Sequence, residues 1–162
     1  MSTADGHIEE STAIITARSE AIVPKIGLVL GSGLSSFADR IDNPIIIPFG
    51  DLPGFPKPAV SGHEGRLVLG TVGGTSVATM QGRTHYYEAA DAEVMKVPIQ
   101  TLKSLGCEAV VLTNAAGSLN PNAGPGSVML ISDHINFMGV SPLFGEVGNG
   151  RFVDMTNAYD KG

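Results

Sequence analysis

The sequence predicts an α/β fold in which helices flank a mixed, largely buried central β-sheet. Short continuous apolar runs, such as Ile26–Leu30, are typical of strands that are covered on both faces. These runs alternate with segments of helical periodicity, and turns rich in glycine or proline separate them. With 162 residues, the chain is expected to form a single domain over residues 1–162.

The first elements are a helix, a strand and a long loop. Apolar residues near helical spacing predict a helix over Ile8–Ile22, which Pro24 ends. The run Ile26–Leu30 then predicts a buried strand that enters a glycine turn. Residues 42–65 are rich in proline and glycine, and we expect them to form a long loop around one apolar run, Ile45–Ile47.

The remaining elements include a hairpin, a helix and two more strands. Residues 66–83 predict a β-hairpin around Gly73 and Gly74. Residues 91–106 predict a helix that Gly106 ends and that Pro98 can kink. We expect a buried strand and a small-residue turn in residues 107–119, and a further strand that leads into polar residues in residues 127–137. A sheet of these strands alone leaves one edge uncovered, so the chain resembles part of a larger domain, incomplete at its C-terminus.

Composition and charge narrow the class of protein. A net charge of −6 argues against general binding to nucleic acid, which requires basic surfaces. No apolar stretch approaches the ~20 residues of a membrane-spanning helix. One cysteine, Cys107, cannot form an intrachain disulfide, and we expect a buried structural thiol. Together with an N-terminus unlike a signal peptide, these features predict a cytoplasmic protein.

The first candidate binding element is the turn Gly31-Ser32-Gly33 after the first strand. Successive backbone N–H groups in such a turn can bind an anion, and the Ser32 hydroxyl adds a donor. The turn also resembles a dinucleotide fingerprint, but Ser36 replaces the third glycine and Asp51 falls in a loop. A tight turn without a ligand and a dinucleotide-dependent oxidoreductase are therefore the alternatives.

A second candidate element is the stretch "QGRTHYYE", in which Arg83, His85 and Tyr87 occupy every second position. If the stretch is a strand, the three side chains lie on one face, and Glu88 lies on the other. Arginine offers a planar set of donors suited to phosphate oxygens, and histidine adds one or two donors. The alternative is a solvated strand face.

Three further places contain polar or small residues. His63 lies between glycines in the long loop, and Ala115, Ala116 and Gly117 form a small-residue turn at a strand end. Such a turn lets a ligand touch the backbone. The simpler alternatives are a plain surface loop for His63 and a tight packing turn for the three small residues. Asp133 and His134 are too few to predict a metal site. The whole set suits binding of a phosphate anion without a metal.

Four motifs in order, "GLVLGSGL", "SGHEGRLVLG", "QGRTHYYE" and "LTNAAGSLNPNAGPGSVMLISDHIN", resemble the trimeric class of purine nucleoside phosphorylases. The resemblance runs from about Ile26 to Tyr159. It implies phosphate-dependent cleavage of the N-glycosidic bond of purine nucleosides, giving the free base and ribose 1-phosphate, in purine salvage. It also implies a homotrimer that uses inorganic phosphate as co-substrate and needs no cofactor or metal.

Residue by residue, the resemblance implies roles for eight site residues and for one phenylalanine. Arg83 and His85 are implied as catalytic residues that also bind phosphate. The other implied phosphate contacts are Ser32, the loop residue His63 and the backbone near Ala115. Tyr87 is implied to contact the ribose, and Ala116 and Gly117 to line the nucleoside pocket. Either Phe144 or Phe152 corresponds to a residue that reaches a neighbouring subunit.

The resemblance also has a limit, since the family's chains are substantially longer. Their additional C-terminal part is implied to hold the purine base and to stabilise it as it leaves. We therefore expect the 162-residue chain alone to have negligible turnover. The alternative is a catalytically inactive, truncated module that binds phosphate or serves a structural role.

Overall fold

The computed structural model describes residues 3–20, 22–56, 65–145, 152–156 and 159. The chain divides into two compact units, Met1–Ala115 and Ala116–Gly162. The prediction of one domain over residues 1–162 stays a prediction, and the two units are described separately.

The first unit is built on a five-stranded mixed sheet. Its strands, in chain order, are β1 (Ile26–Leu30), β2 (Asp42–Pro48), β3 (Arg66–Val72), β4 (Thr75–Gln81) and β5 (Ala109–Leu112). In space the order is β2-β3-β4-β1-β5. Strand β1 runs parallel to both β4 and β5, while β2, β3 and β4 are antiparallel neighbours. The β3–β4 hairpin turns at Gly73 and Gly74, both with positive φ, as the sequence predicts.

Helices cover the sheet and confirm the predicted α/β class. They are α1 (Thr3–Arg18), α2 (Tyr86–Ala89) and α3 (Lys96–Ser104), with 3₁₀ helices at Ser35–Arg40 and Phe49–Asp51. Leu67 and Leu69 of β3 belong to a core cluster with residues of α1 and α3. Val68, between them, packs with residues of the 3₁₀ helix Ser35–Arg40. Because strand side chains alternate, the two clusters lie on opposite faces of the sheet.

Helix α1 differs from its prediction at both ends. It begins at Thr3 and ends at Arg18, so the predicted range Ile8–Ile22 is wrong at both boundaries. The buried residues are Ile8, Ser11 and Ile15. The Ser11 hydroxyl donates a 2.8 Å hydrogen bond to the Pro53 carbonyl, which allows a polar residue to face the core.

Helix α3 starts at Lys96, five residues later than the sequence predicts. Pro98 is therefore in the first turn, where the helix requires no N–H donor, and not in the helix interior. The predicted end at Gly106 is confirmed: Gly106 has a φ of 104° and donates to the Lys103 carbonyl. Cys107 then donates to the Leu102 carbonyl, which completes a Schellman motif.

The predicted long loop over residues 42–65 is wrong in its first part. Residues Asp42–Pro48 form β2, which pairs with β3 so that Ile47 lies opposite Leu67. Prolines are tolerated here because β2 is an edge strand of the sheet. Residues 57–64 lie outside the described residues.

The last two predicted strands also need correction. β5 forms, but it is an edge strand and is exposed, with Leu112 at 67% exposure, so the predicted burial is wrong. Residues 127–137, in the second unit, have no regular secondary structure. An apolar, β-prone run becomes a strand only when a neighbouring strand accepts its hydrogen bonds. No helix in the described part of the chain is long and apolar enough to span a membrane.

Cys107 follows α3 and is half-buried rather than fully buried. Burial raises the pKa of its thiol from 9.0 to about 11. A thiol with such a pKa is protonated at neutral pH and is therefore a poor nucleophile.

We expect iodoacetamide to alkylate Cys107 slowly at pH 8 in the folded chain, with the rate rising towards a midpoint near pH 11. Burial disfavours the thiolate only in the folded state. The contribution of Cys107 to the free energy of unfolding is therefore fully present below pH 9 and is lost as pH rises through about 11. Mass spectrometry of native and urea-unfolded samples measures both rates. If the alkylation rate of the folded chain had the same pH midpoint as that of the unfolded chain, the burial of this thiol would be contradicted.

Thr79, in β4, provides a test of core packing. Its side chain is fully buried, and its hydroxyl has no hydrogen-bond partner among the described residues. An unpaired buried hydroxyl costs about 1–3 kcal/mol. We therefore expect Thr79→Val to raise the free energy of unfolding by about 1 kcal/mol, measured by urea denaturation.

Thr101→Val is the matched control for this substitution. Thr101 is equally buried, but its hydroxyl donates to the Val97 carbonyl at 2.8 Å. This variant should lower the free energy of unfolding. If Thr79→Val lowered it as well, the Thr79 hydroxyl would have a partner in the folded chain.

Candidate functional site

The candidate site lies where three parallel strands end at one edge of the sheet. β1 ends at Leu30, β4 at Gln81 and β5 at Leu112, and the chain leaves each strand in a polar or glycine-containing segment. Ligands of α/β proteins bind at this edge, beyond the carboxyl ends of the strands. A cleft lies there, lined by Leu30, Gly31, Ser32, Ser35, Gly82, Arg83 and His85. The structure thus brings Ser32, Arg83 and His85 together.

The glycine turn after β1 forms the first wall of the cleft. The Gly31 N–H donates to the Thr113 hydroxyl at 2.8 Å, and the Leu34 N–H closes the turn onto the Gly31 carbonyl at 3.1 Å. A Cβ at Gly31 would lie 2.9 Å from the Cα of Asn114, so only glycine allows this approach. Ser32, in contrast, is exposed.

Arg83, in the segment after β4, forms the second wall. Strand β4 ends at Gln81, so Arg83 lies in a loop, and the predicted strand with alternating side chains is wrong. Its half-buried guanidinium donates to the backbone carbonyl of Thr113. Since guanidinium carries five donors, this bond orients the group and uses only one of them.

His85 is held by two neighbours on the same short segment. The Glu88 carboxylate lies 2.7 Å from Nδ1 of His85 and accepts the His85 backbone N–H at 2.8 Å. The expectation that Glu88 points away from His85 is therefore wrong. The Tyr87 ring stacks on the imidazole with a centroid distance of 4.9 Å, although Tyr87 is 80% exposed.

The sequence reasoning missed the residues that support the cleft. Thr113 contacts both walls, Glu88 orients His85, and the buried side chain of Gln81 bonds to the Ser35 carbonyl at 3.0 Å. All three lie within the motifs "QGRTHYYE" and "LTNAAGSLNPNAGPGSVMLISDHIN", and this was the only signal in the sequence. Which partner each would meet depends on strand order.

The other predicted site residues are placed differently. His63 lies outside the described residues. Ala115 is exposed and lies two residues after Thr113, at the end of the first unit. Ala116 and Gly117 begin the second unit and are exposed, as are Phe144 and Phe152.

Two alternative chemistries find no support among the described residues. Asp51 lies on the 3₁₀ helix that follows β2, and its carboxylate pairs with Arg18 at 2.6 Å. β2 is antiparallel to β3 and is not a neighbour of β1, whereas a dinucleotide fingerprint requires a parallel βαβ unit. Nδ1 of His134 contacts the Tyr159 hydroxyl, and the Asp133 carboxylate accepts the His134 backbone N–H. In the described part of the chain, no group of three His, Cys, Asp or Glu residues could hold a metal ion.

Comparison of the sequence with known proteins gives a consistent result. A family model described as the phosphorylase superfamily matches residues 25–162. Purine nucleoside phosphorylase 1 of Bacillus subtilis is 52% identical over 141 residues, which cover 85% of this chain and 52% of the relative. The mouse purine nucleoside phosphorylase is 39% identical over 158 residues, covering 94% of this chain and 55% of the relative. The chain thus spans about half the length of these relatives.

Comparison of the fold agrees with the sequence. Isoform 2 of a purine nucleoside phosphorylase from Schistosoma mansoni, in complex with cytosine and ribose-1-phosphate, superposes with a TM-score of 0.85. It is 38% identical, and the match covers 96% of this chain and 56% of that chain. A second purine nucleoside phosphorylase structure, in complex with ribose-1-phosphate, has a TM-score of 0.86 at 36% identity, covering 99% and 61% of the two chains.

Proposed function

The chain belongs to the phosphorylase superfamily, and we propose that it forms the phosphate-binding part of a purine nucleoside phosphorylase. The reaction is the phosphate-dependent cleavage of the N-glycosidic bond of a purine ribonucleoside or deoxyribonucleoside. Its products are the free base and the sugar 1-phosphate. The protein would act in purine salvage.

The observation that carries the proposal is the convergence of Ser32, Arg83 and His85 on one cleft. A hydroxyl, a guanidinium and an imidazole are the donors that bind a phosphate anion without a metal. Similarity to enzymes named purine nucleoside phosphorylase supports the choice of reaction, as does the ribose-1-phosphate bound in two structural relatives.

The charge of the cleft fits an anionic ligand in an acidic protein. The net charge of −6 repels anions at long range. Arg83, however, is held by a neutral carbonyl, Thr113 O, so no carboxylate neutralises it through that contact. A local positive group within a partly desolvated cleft therefore provides the attraction that the whole chain lacks.

In the proposed mechanism, phosphate is both ligand and nucleophile. Arg83, His85 and Ser32 hold the phosphate, with further contacts from the backbone near Ala115 and from His63. As the bond between the anomeric carbon and the purine nitrogen breaks, the sugar gains oxocarbenium character. A phosphate oxygen then bonds to the anomeric carbon, and the base leaves with the bonding electrons and takes up a proton. Holding phosphate in place lowers the entropic part of the barrier.

The remaining roles complete the proposed site. Tyr87 contacts the ribose, and Ala116 and Gly117 line the nucleoside pocket. The proposal includes no cofactor, a cytoplasmic location and assembly into a homotrimer.

A second candidate is a phosphate-binding module without catalysis. The donors of the cleft support it equally, since binding phosphate requires only Ser32, Arg83 and His85. The two candidates share the phosphate site and differ in whether that site serves a phosphorolysis reaction.

Phosphate binding tests the site itself. We expect Arg83→Ala to weaken the affinity for inorganic phosphate roughly ten- to a hundredfold, because charge-assisted hydrogen bonds contribute about 1.5–3 kcal/mol. Isothermal titration calorimetry of the 162-residue chain measures this affinity.

Arg18→Ala is the matched control, since it removes the same charge from an exposed ion pair with Asp51 outside the cleft. Its affinity should stay within about twofold of the parent, because exposed charges at a distance are screened by salt. Equal losses in both variants would remove Arg83 from the phosphate site.

Turnover tests whether the 162-residue chain is catalytic by itself. We expect the 162-residue chain, with its length verified by intact mass, to release no hypoxanthine from inosine and phosphate above the enzyme-free background. The physical reason is that the implied purine contacts lie in the part of the relatives that this chain does not span. Calorimetry on the same preparation verifies that phosphate binds. Clear phosphorolysis would contradict the expectation and exclude the non-catalytic module.

A further inference from the structure

We propose that Thr113 and Gln81 are positioning residues that hold the two ends of the turn Gly31–Ser35, so that Ser32 and Arg83 line the same cleft. Their recorded side-chain bonds go to the protein, and neither residue lines the cleft. This inference rests on the proposed phosphate site for its functional meaning. The anchoring itself is a property of the free chain.

Thr113 holds the beginning of the turn. Its hydroxyl accepts the Gly31 N–H at 2.8 Å and donates to the Val29 carbonyl at 3.0 Å. A hydroxyl can do both at once, whereas a methyl group of the same size can do neither. These side-chain bonds extend the hydrogen bonding between β1 and β5 by one residue beyond the end of each strand.

The same residue also holds the wall of the cleft that contains Arg83. The Thr113 carbonyl accepts a hydrogen bond from Arg83, while its hydroxyl holds Gly31. A displacement of Thr113 would therefore move both walls. The close approach of Gly31 to the Asn114 backbone leaves little room for such a displacement.

Gln81 holds the end of the turn. Its side-chain amide donates to the Ser35 carbonyl at 3.0 Å, and its amide oxygen accepts from Nε of Arg66 at 2.6 Å. Because guanidinium only donates, Arg66 requires the oxygen on its own side and directs the NH₂ group towards Ser35. At 8% exposure, the Gln81 side chain has little competition from water.

The middle of the turn is left for a ligand. Gly31 is buried, whereas Ser32 and Gly33 between the two anchors are exposed. A turn with fixed ends and an exposed middle binds with a smaller loss of conformational entropy than a free loop. Removing either anchor should therefore weaken phosphate binding. A substitution outside the turn that lowers the free energy of unfolding by a similar amount should not.

The first experiment measures phosphate affinity by calorimetry in isosteric variants of the full 162-residue chain. We expect Thr113→Val and Gln81→Met each to bind inorganic phosphate roughly tenfold more weakly. Thr113→Ser keeps the hydroxyl and should bind like the parent. Thr101→Val, which loses a buried hydroxyl bond in α3, should be less stable yet bind like the parent. Because the two anchors lie at opposite ends of the turn, one variant remains informative if the other fails to fold.

The second experiment needs no phosphate. Amide hydrogen exchange of the free chain should become faster at Gly31 in Thr113→Val and at Leu34 in Gln81→Met, and should stay unchanged there in Thr101→Val. Unchanged exchange in both anchor variants would overturn the anchoring.

The two experiments separate the inference from the proposed function. If the parent chain binds no phosphate, the proposed function fails, while faster exchange still supports the anchoring. If the parent binds phosphate and both anchor variants bind equally well, the positioning role is overturned and the proposed site stands.

Discussion

The parallel pairing of β1 with both β4 and β5 is the constraint on which the candidate site depends. In this register Leu30 lies beside Gln81, and Val29 lies beside Leu112. Three chain segments distant in sequence therefore leave the sheet at one edge, and the glycine turn, Arg83 and Thr113 meet there. A shift of one residue in either pairing would turn the neighbouring side chains to the other face of the sheet. Two core clusters on opposite faces of the sheet maintain the register.

Hydrogen-bond partners then decide which charged groups remain available to a ligand. The recorded partner of Arg18 is the Asp51 carboxylate, whereas the recorded partner of Arg83 is a backbone carbonyl. A carbonyl orients guanidinium without neutralising its charge. Among the described residues, this difference distinguishes an arginine that stabilises the surface from one that suits an anion. Neither composition nor net charge shows it.

Whether an apolar segment becomes a buried strand also depends on the fold. The run Ala109–Leu112 is as apolar as a buried strand, yet it forms an exposed edge. Residues 127–137 are equally apolar in their first part and form no strand. Hydrophobic sequence predicts that a segment favours burial, but burial requires a neighbour that covers it. Strand β2 is the opposite case. Its proline-containing sequence predicts a loop, yet the segment is a strand because it pairs with β3.

By itself, the sequence determined the α/β class, the β3–β4 hairpin, the strand β1 and the end of α3 at Gly106, because each depends on local periodicity or on the backbone freedom of glycine. Four ordered motifs were also enough to indicate the family. The tertiary structure alone decided that Arg83 lies in a loop and that Glu88 orients His85. It also decided that Thr113 connects both walls of the cleft. These contacts depend on strand order and on where each strand ends, which no local pattern encodes.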